Sequence, residues 1–497
     1  MKKLLLTIVA MAALVGAKAQ KELTLIGEES KKVEADMMMN ARYLGSLEGL
    51  DIWLTKSDEG VKGLANKRDW HVVKFGDELV PMERADLPLT DRCRVLGAVG
   101  FEQNASGIHK ASVLLVDSSA RGKTSILRAR LKTDTLSLEG GRVDTVDNYT
   151  YGRKDLCKVW CAMSPNGRYL AVLTIVQYKE RKDYISVTKV FDENLDVVWA
   201  KDYGVGATEA LYVDDNGTVY TMGLERTSNG VRILTNVMDQ ASANSYRTDK
   251  QCDPIHDLQI ANVIGPKVLC SGLVTMSTAD PEMDVTSGVV TMVFDRDSGS
   301  MQSFRMRFFQ NEDKNILLNK NTKKVQREQD VPMIAPLGSI RMPYGTVVAS
   351  GHRHHLRYVN ANGTVTDTYY GRGIHLVAFD TLGNVKWVRN LRRNDKTDIG
   401  DEMLELRMFA VGDKAYVLKN EDEDDPEEYI ITEEADEYEV GDKSDLVLYE
   451  LSSDGKVAKT FLEKKTKHAL AGMGRRPDGN WVLLSFRGSK CRMAVMK

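Results

Sequence analysis

Three times in this chain a tight polar turn ending in Asn-Gly or Asp-Gly leads straight into an apolar run. This unit constrains the fold more than any other feature. Ser164-Pro165-Asn166-Gly167 precedes Arg168–Leu173, Asp214-Asp215-Asn216-Gly217 precedes Thr218-Val219-Tyr220, and Arg476-Pro477-Asp478-Gly479 precedes Asn480–Leu484. Asn-Gly and Asp-Gly supply the positive φ angles that tight hairpin turns need. A second unit is an apolar strand, an Asp-containing turn and another strand. It appears at Val190-Phe191-Asp192 through Trp199, Val293-Phe294-Asp295 through Gly299, Ala378-Phe379-Asp380 through Trp387, and Leu448-Tyr449-Glu450 through Gly455. Weaker versions lie at Val72–Met82, Val113–Leu127 and Ile233–Arg247. Long amphipathic helical patterns are scarce after residue 40, so the chain reads as all-β.

At 497 residues the chain exceeds what one simple hydrophobic core supports, which favours a repeat architecture whose core grows unit by unit. Ser164–Ala171 resembles the turn-and-strand unit of TolB-like and WD40-like propellers. Ala378–Trp387 is similar to the repeat of quinoprotein-like propellers, one residue short. The two units together read as the A–B and C–D hairpins of four-stranded blades. The expected fold is an all-β propeller of seven or eight four-stranded blades, a single domain over 20–497. The last hairpin, Trp481–Phe486 with Cys491–Met496, lacks a fourth strand. Leu23–Ile26 is placed to supply it and close the ring, which removes exposed sheet edges. Trp199 and Trp387 are expected to pack between blades.

The N-terminus reads as an export signal. Lys2 and Lys3 form a basic region, Leu4–Val15 is almost wholly apolar, and Ala17-Lys18-Ala19 supplies the small-x-small pattern for cleavage before Gln20. The apolar stretch falls short of the ~20 residues that span a bilayer, and no later segment reaches that length. Gln at position 20, in place of Cys, argues against lipid attachment, and Gln after the cleavage site resembles exported proteins of the Bacteroidetes. The expected location is the periplasm or outside the cell. Six cysteines (Cys93, Cys157, Cys161, Cys252, Cys270, Cys491) are too dilute for a disulfide framework. Cys252 with Cys270 is the most plausible pair, and free buried thiols are the reading for most of the rest. The formal net charge is −3, more acidic once Lys2, Lys3 and Lys18 are removed, so nucleic-acid binding is not expected.

The A–B and C–D turns are short, and the long connections fall on the opposite face. They are Gln177–Asp183, Thr275–Gly288, His352–Gly373 and Asn420–Ser444 as B–C connections, and Arg307–Ile340 as a D–A connection. The major insertions are 307–340, 352–373 and 420–444. Elaborated loops on a rigid ring mark a functional face. The candidate ligand-binding residues are His352, His354, Arg357, Tyr370, Arg372 and His375, suited to an anionic or sugar-like ligand. In an extended segment His352 and His354 point to one side, the spacing of a two-histidine metal site. Nothing completes a ligand set, so no metal is expected. Glu421–Asp442 holds 13 acidic residues in 22 positions without the spaced pattern of a calcium loop, which makes it a solvated, self-repelling insertion. The basic run Lys320–Arg327 is another solvated loop.

Enzyme motifs are missing: no Gly-x-Ser-x-Gly elbow, His-Glu-x-x-His helix or phosphate-binding Gly-Lys-Ser/Thr loop. Intact Ser-x-Asp-x-Gly-x-Thr-Trp boxes are absent too. Only Trp199 and Trp387 occupy the Trp position of quinoprotein repeats, so no quinone or other cofactor is expected. The function expected is a non-catalytic, monomeric binding scaffold taking a protein or glycan on the B–C/D–A face. The alternative is a secreted enzyme acting on polysaccharide through carboxylates in the central funnel. A further alternative rests on Tyr449, Leu451, Gly455-Lys456-Val457, Pro477, Gly479, Trp481 and Lys497. These resemble the second half of a type IX secretion sorting domain, although the usual opening Asn-Pro segment is absent.

Overall fold

A computed structural model describes residues 25–29, 38–48, 50–59, 67–76, 81–89, 93–104, 107–118, 122–180, 183–202, 208–276, 285–318, 331–332, 334–359, 365–397, 404, 406–422, 438–439, 444–466, 468–476, 478–487 and 490–496. The expected signal segment, the Lys320–Arg327 run and most of the acidic insertion lie outside them.

The strands form eight four-stranded antiparallel blades in a ring. Blade 1 comprises Met38–Leu47, Leu50–Glu59, Lys67–Phe75 and Pro81–Leu87; blade 2 comprises Cys93–Asn104, Gly107–Asp117, Lys123–Lys132 and Asp144–Thr150. Blade 3 runs through Leu156–Met163, Leu170–Tyr178, Asp183–Phe191 and Val197–Asp202. Blade 4 is Ala210–Val213, Val219–Thr227, Gly230–Met238 and Ala243–Lys250, and blade 5 is Ile255–Ile264, Lys267–Met276, Val285–Asp295 and Ser300–Phe308. Blade 6 has the longest strands, Ile334–Met342, Gly345–Val359, Val365–Asp380 and Val385–Thr397. Blade 7 is Arg407–Val411, Lys414–Asp422, Ser444–Leu451 and Val457–Thr466. Blade 8 takes Ala469–Arg475, Trp481–Arg487 and Lys490–Met496 from the C-terminus and Leu25–Glu29 from the N-terminus. First strands of successive blades touch from blade 8 through blade 1 round to blade 7, and the second strand of blade 7 meets the first strand of blade 8, so the A strands line the inner wall.

The closing strand pairs Leu25 with Met496 through Glu29 with Arg492. It lies slightly C-terminal to the Leu23–Ile26 expectation. One hairpin was placed differently by the sequence: Val113–Leu127 joins the second and third strands of blade 2, a B–C and not a C–D connection. Strand–turn–strand patterns look alike in any antiparallel pair, and only the ring order tells which turn is which.

Eight apolar clusters fill the eight seams between blades. Between blades 3 and 4, for example, Ala171, Val190 and Trp199 meet Val213, Val219 and Met238. Between blades 8 and 1, Val482, Leu484, Met493 and Val495 meet Ala41, Trp53, Val73 and Phe75. A blade is covered on both faces, so its middle strands are continuous apolar runs and not alternating ones. Trp199 and Trp387 do pack between blades. The Trp199 indole N–H donates to Gly217 O at 3.3 Å, and Trp387 lies against Gly455 of blade 7.

The turns are held by their own carboxylates. Asp380 Oδ1 accepts the Leu382 and Asn384 N–H groups, each at 2.9 Å. Asp214 Oδ1 accepts Asn216 N–H at 2.9 Å and Thr218 N–H at 3.0 Å. These are Asx turns, the physical basis of the recurring Asp.

Cys252 and Cys270 do not pair; both are free thiols, as are Cys93, Cys157 and Cys161. Cys270 is buried in the second strand of blade 5, and burial pushes its thiol well up. Among the described residues no helix is long and apolar enough to cross a membrane.

Candidate functional site

The described residues of the 352–373 insertion, 352–359 and 365–373, are strand and not loop. The second and third strands of blade 6 run on past the propeller body as a hairpin, in register from His352↔Arg372 to Val359↔Val365. Their lower halves are buried, and Arg357 to Val359 stand in solvent. The sheet kinks where it leaves the ring. A Cβ on Gly351 would meet Gly373 O at 2.5 Å, and Gly373, at φ +59, sits against the backbone of Ile316 and Leu317. Only glycine combines that angle with that approach.

Register sorts the six candidate residues. His352 and His354 lie on one face with their cross-strand partners Arg372 and Tyr370. The two imidazoles stack 6.0 Å apart, His354 lies 6.1 Å from the Tyr370 ring, and the Arg372 guanidinium sits 5.9 Å from that ring. Burial, helped by Arg372 and His354, pushes His352 down to about 4, so its ring is neutral near pH 7. Lys396, opposite Tyr370 on the fourth strand, joins this face by register.

Arg357 occupies the other face. Its guanidinium grips Asp367 at 2.8 and 3.1 Å, and His355 Nε2 lies 2.8 Å from the same carboxylate. These contacts, Arg357's first, hold Asp367 down at about 2. His355 also stacks on Tyr369 at 4.6 Å. Arg353, on the Arg357 side, donates to Leu404 O at 3.3 Å, which turns that side toward blade 7.

His375 stands apart from all of these. It is fully buried under the helix Asn311–Leu317, within the 307–340 connection. Its Nδ1 lies 2.5 Å from Asn390 Oδ1, and the Asn390 amide donates to Asp313 Oδ1 at 2.8 Å. Arg307 pairs with Asp313 at 2.9 Å, and Phe309 packs edge-on to the imidazole. Burial pushes His375 down, against the pull of Asp313. This cluster anchors the helix across the base of the hairpin.

No family model and no curated protein matches the chain. Among solved structures it is similar to the WD40 domain of SCAP from fission yeast (9% identity, 95% of this chain and 98% of that one, TM-score 0.35). It is also similar to the β-propeller domain of the Trilobed protease from Pyrococcus furiosus (10%, 90% and 97%, 0.32) and to polysaccharide lyase Uly1 (11%, 94% and 100%, 0.36). The chain is an eight-bladed β-propeller. That rests on its own strand order, and likenesses at this level say nothing of ligand or chemistry.

Three features of the site had no sequence signal. The hairpin's end exposes Leu356 (49%), Tyr358 (68%) and Val359 (57%). The polar run Asn390–Thr397 extends the fourth strand alongside the hairpin, pairing Thr397 with Tyr369. The acidic insertion of blade 7 crosses to blade 6, where Tyr438 and Glu439 add a short parallel strand beside Asp395 and Lys396. Among the described residues no group of three or more His, Cys, Asp or Glu is placed to hold a metal.

A separate pair of carboxylates marks the inner wall. Glu209, just before the first strand of blade 4, accepts the Leu258 N–H at 3.2 Å. Burial and then the neighbouring Asp257 charge push its carboxyl up, against that hydrogen bond. Asp257 holds φ 51 where the first strand of blade 5 slips register, and contacts His256 Nδ1 at 2.9 Å.

Proposed function

We propose that this propeller is an exported, monomeric, non-catalytic scaffold that docks a protein partner on the projecting hairpin of blade 6. The observation that carries the reading is the exposure of Leu356, Tyr358 and Val359 at the end of a sheet extension that leaves the ring. Exposed apolar side chains on both faces of a projecting hairpin, Leu356 and Tyr358 on one and Val359 on the other, flanked by Arg and aromatic residues, match the composition of binding hot spots. Strand residues 353–359 pair on one side only among the described residues, which suits a partner that adds a strand. Replacing residues 354–370 by a tight Asn-Gly turn tests it. Partner recovery from the envelope fraction drops out while the melting transition stays; unchanged recovery refutes the assignment.

A secreted enzyme acting on polysaccharide is the second reading, favoured by Glu209, whose raised carboxyl beside Asp257 suits a general acid. Release of new chain ends from a polysaccharide panel, lost in Glu209→Gln, supports it. No release from any polymer sinks it.

A further inference from the structure

We infer that an open groove between blades 2 and 3, on the same B–C/D–A face but distinct from the blade 6 hairpin, binds a carboxylated oligosaccharide. The groove has a volume of about 740 Å3 and is lined by residues 150–155 with Tyr178 and Glu180. It lies where the last strand of blade 2 hands over to the first strand of blade 3.

The walls are built and not merely apposed. Tyr151 N–H donates to Gly122 O at 2.8 Å, and its hydroxyl lies 2.9 Å from Thr124 Oγ1. Asp155 locks the floor, one carboxylate oxygen accepting Gly152 N–H at 2.8 Å and the other Lys179 N–H at 3.0 Å. Lys154 and Glu180 neutralise one another at 3.2 Å. Every charged side chain of the lining is thereby engaged except Arg153, which is exposed and makes no hydrogen bond or ion pair among the described residues. Tyr151 and Arg153 on the connecting loop, with Tyr178 at the end of the second strand of blade 3, suit a hydroxylated ligand that has an apolar ring face and a carboxylate. Tyrosine rings stack on the apolar face of a sugar, and the Arg fork grips a carboxylate through two parallel hydrogen bonds. An open groove, unlike a closed pocket, accepts a chain and not just a monosaccharide.

Isothermal titration of the full protein with oligogalacturonate tests it, with a malto-oligosaccharide of equal length as the uncharged control. Saturable binding of the uronate alone is expected. Arg153→Ala weakens it about tenfold or more, the scale of one lost bidentate contact, and Arg153→Lys falls between. Tyr178→Ala weakens it independently. Replacing the end of the blade 6 hairpin leaves it unchanged. No uronate binding, equal binding of the neutral control, or an unaffected Arg153→Ala each overturns the assignment.

Discussion

Arg476 donates to both carboxylate oxygens of Asp51, a residue 425 positions away and fully buried. Asp51 is the second residue of the second strand of blade 1 and Arg476 opens the first turn of blade 8, so this pair spans the seam between the last and first blades. The Tyr43 hydroxyl donates to the same carboxylate at 3.0 Å. Burial, reinforced by Asp51, pushes that hydroxyl far above its ordinary range. Arg476→Ala leaves a buried carboxylate without its cation, which costs about 3 kcal/mol. Urea denaturation read by tryptophan fluorescence should show that loss.

The glycines of the C–D and A–B turns separate packing from backbone strain. Gly455, at φ +78, would carry a Cβ 2.5 Å from the Trp387 ring, whereas Gly479, at φ +87, would place one in open space. Gly479→Ala pays only the left-handed backbone term, about 1 kcal/mol. Gly455→Ala adds a clash with a buried indole and costs at least ~2 kcal/mol. Thermal unfolding of the two variants should rank them in that order.

Acid should weaken the base of blade 6. Burial depresses His375 and His352 in the folded chain, below the ~6.5 of an unfolded histidine. The unfolded state then binds protons that the folded state refuses as pH falls below that value. The stability these groups contribute is whole above ~6.5 and is lost as pH drops toward about 4, the value His352 reaches. His352→Gln should flatten the pH dependence of the melting temperature between those limits. An unchanged slope would contradict the burial argument.

The Asx turns predict a local cost. Asp380→Ala frees two backbone N–H groups in the third-to-fourth strand turn of blade 6 and should destabilise by about 1–2 kcal/mol. Asp454→Ala in the matching, more exposed turn of blade 7, where Lys456 N–H donates to its carboxylate at 3.3 Å, should cost less. Chemical denaturation of the two variants checks the difference.

Much of the ring was legible because its signals are local. Asn166-Gly167, Asp214–Gly217 and Asp380–Gly383 announce turns through backbone chemistry confined to a few residues, and the run Leu170–Leu173 announces a strand buried on both faces. The site was less so. His352, His354, Tyr370 and Arg372 share a face only through a cross-strand register offset by the bulge near Gly351 and Gly373. Arg357 and His375 sit nearby in sequence, yet a one-residue change of parity and burial under a distant helix remove them from it. Nothing in Asn390–Thr397 or Tyr438-Glu439 signals that these polar stretches join the same sheet.

By itself, then, the amino-acid sequence determined the all-β repeat, the blade grammar and the use of an N-terminal strand to complete the last blade. Each of these follows from turn geometry and from side-chain burial over short spans. Tertiary structure alone decided that there are eight blades, that Val113–Leu127 is a B–C connection, and that Arg476 meets Asp51. It likewise decided that a stretch read as a loop projects as paired strand. These depend on the order of strands in a closed ring and on register between distant segments, and both are set by packing across seams that no local pattern encodes.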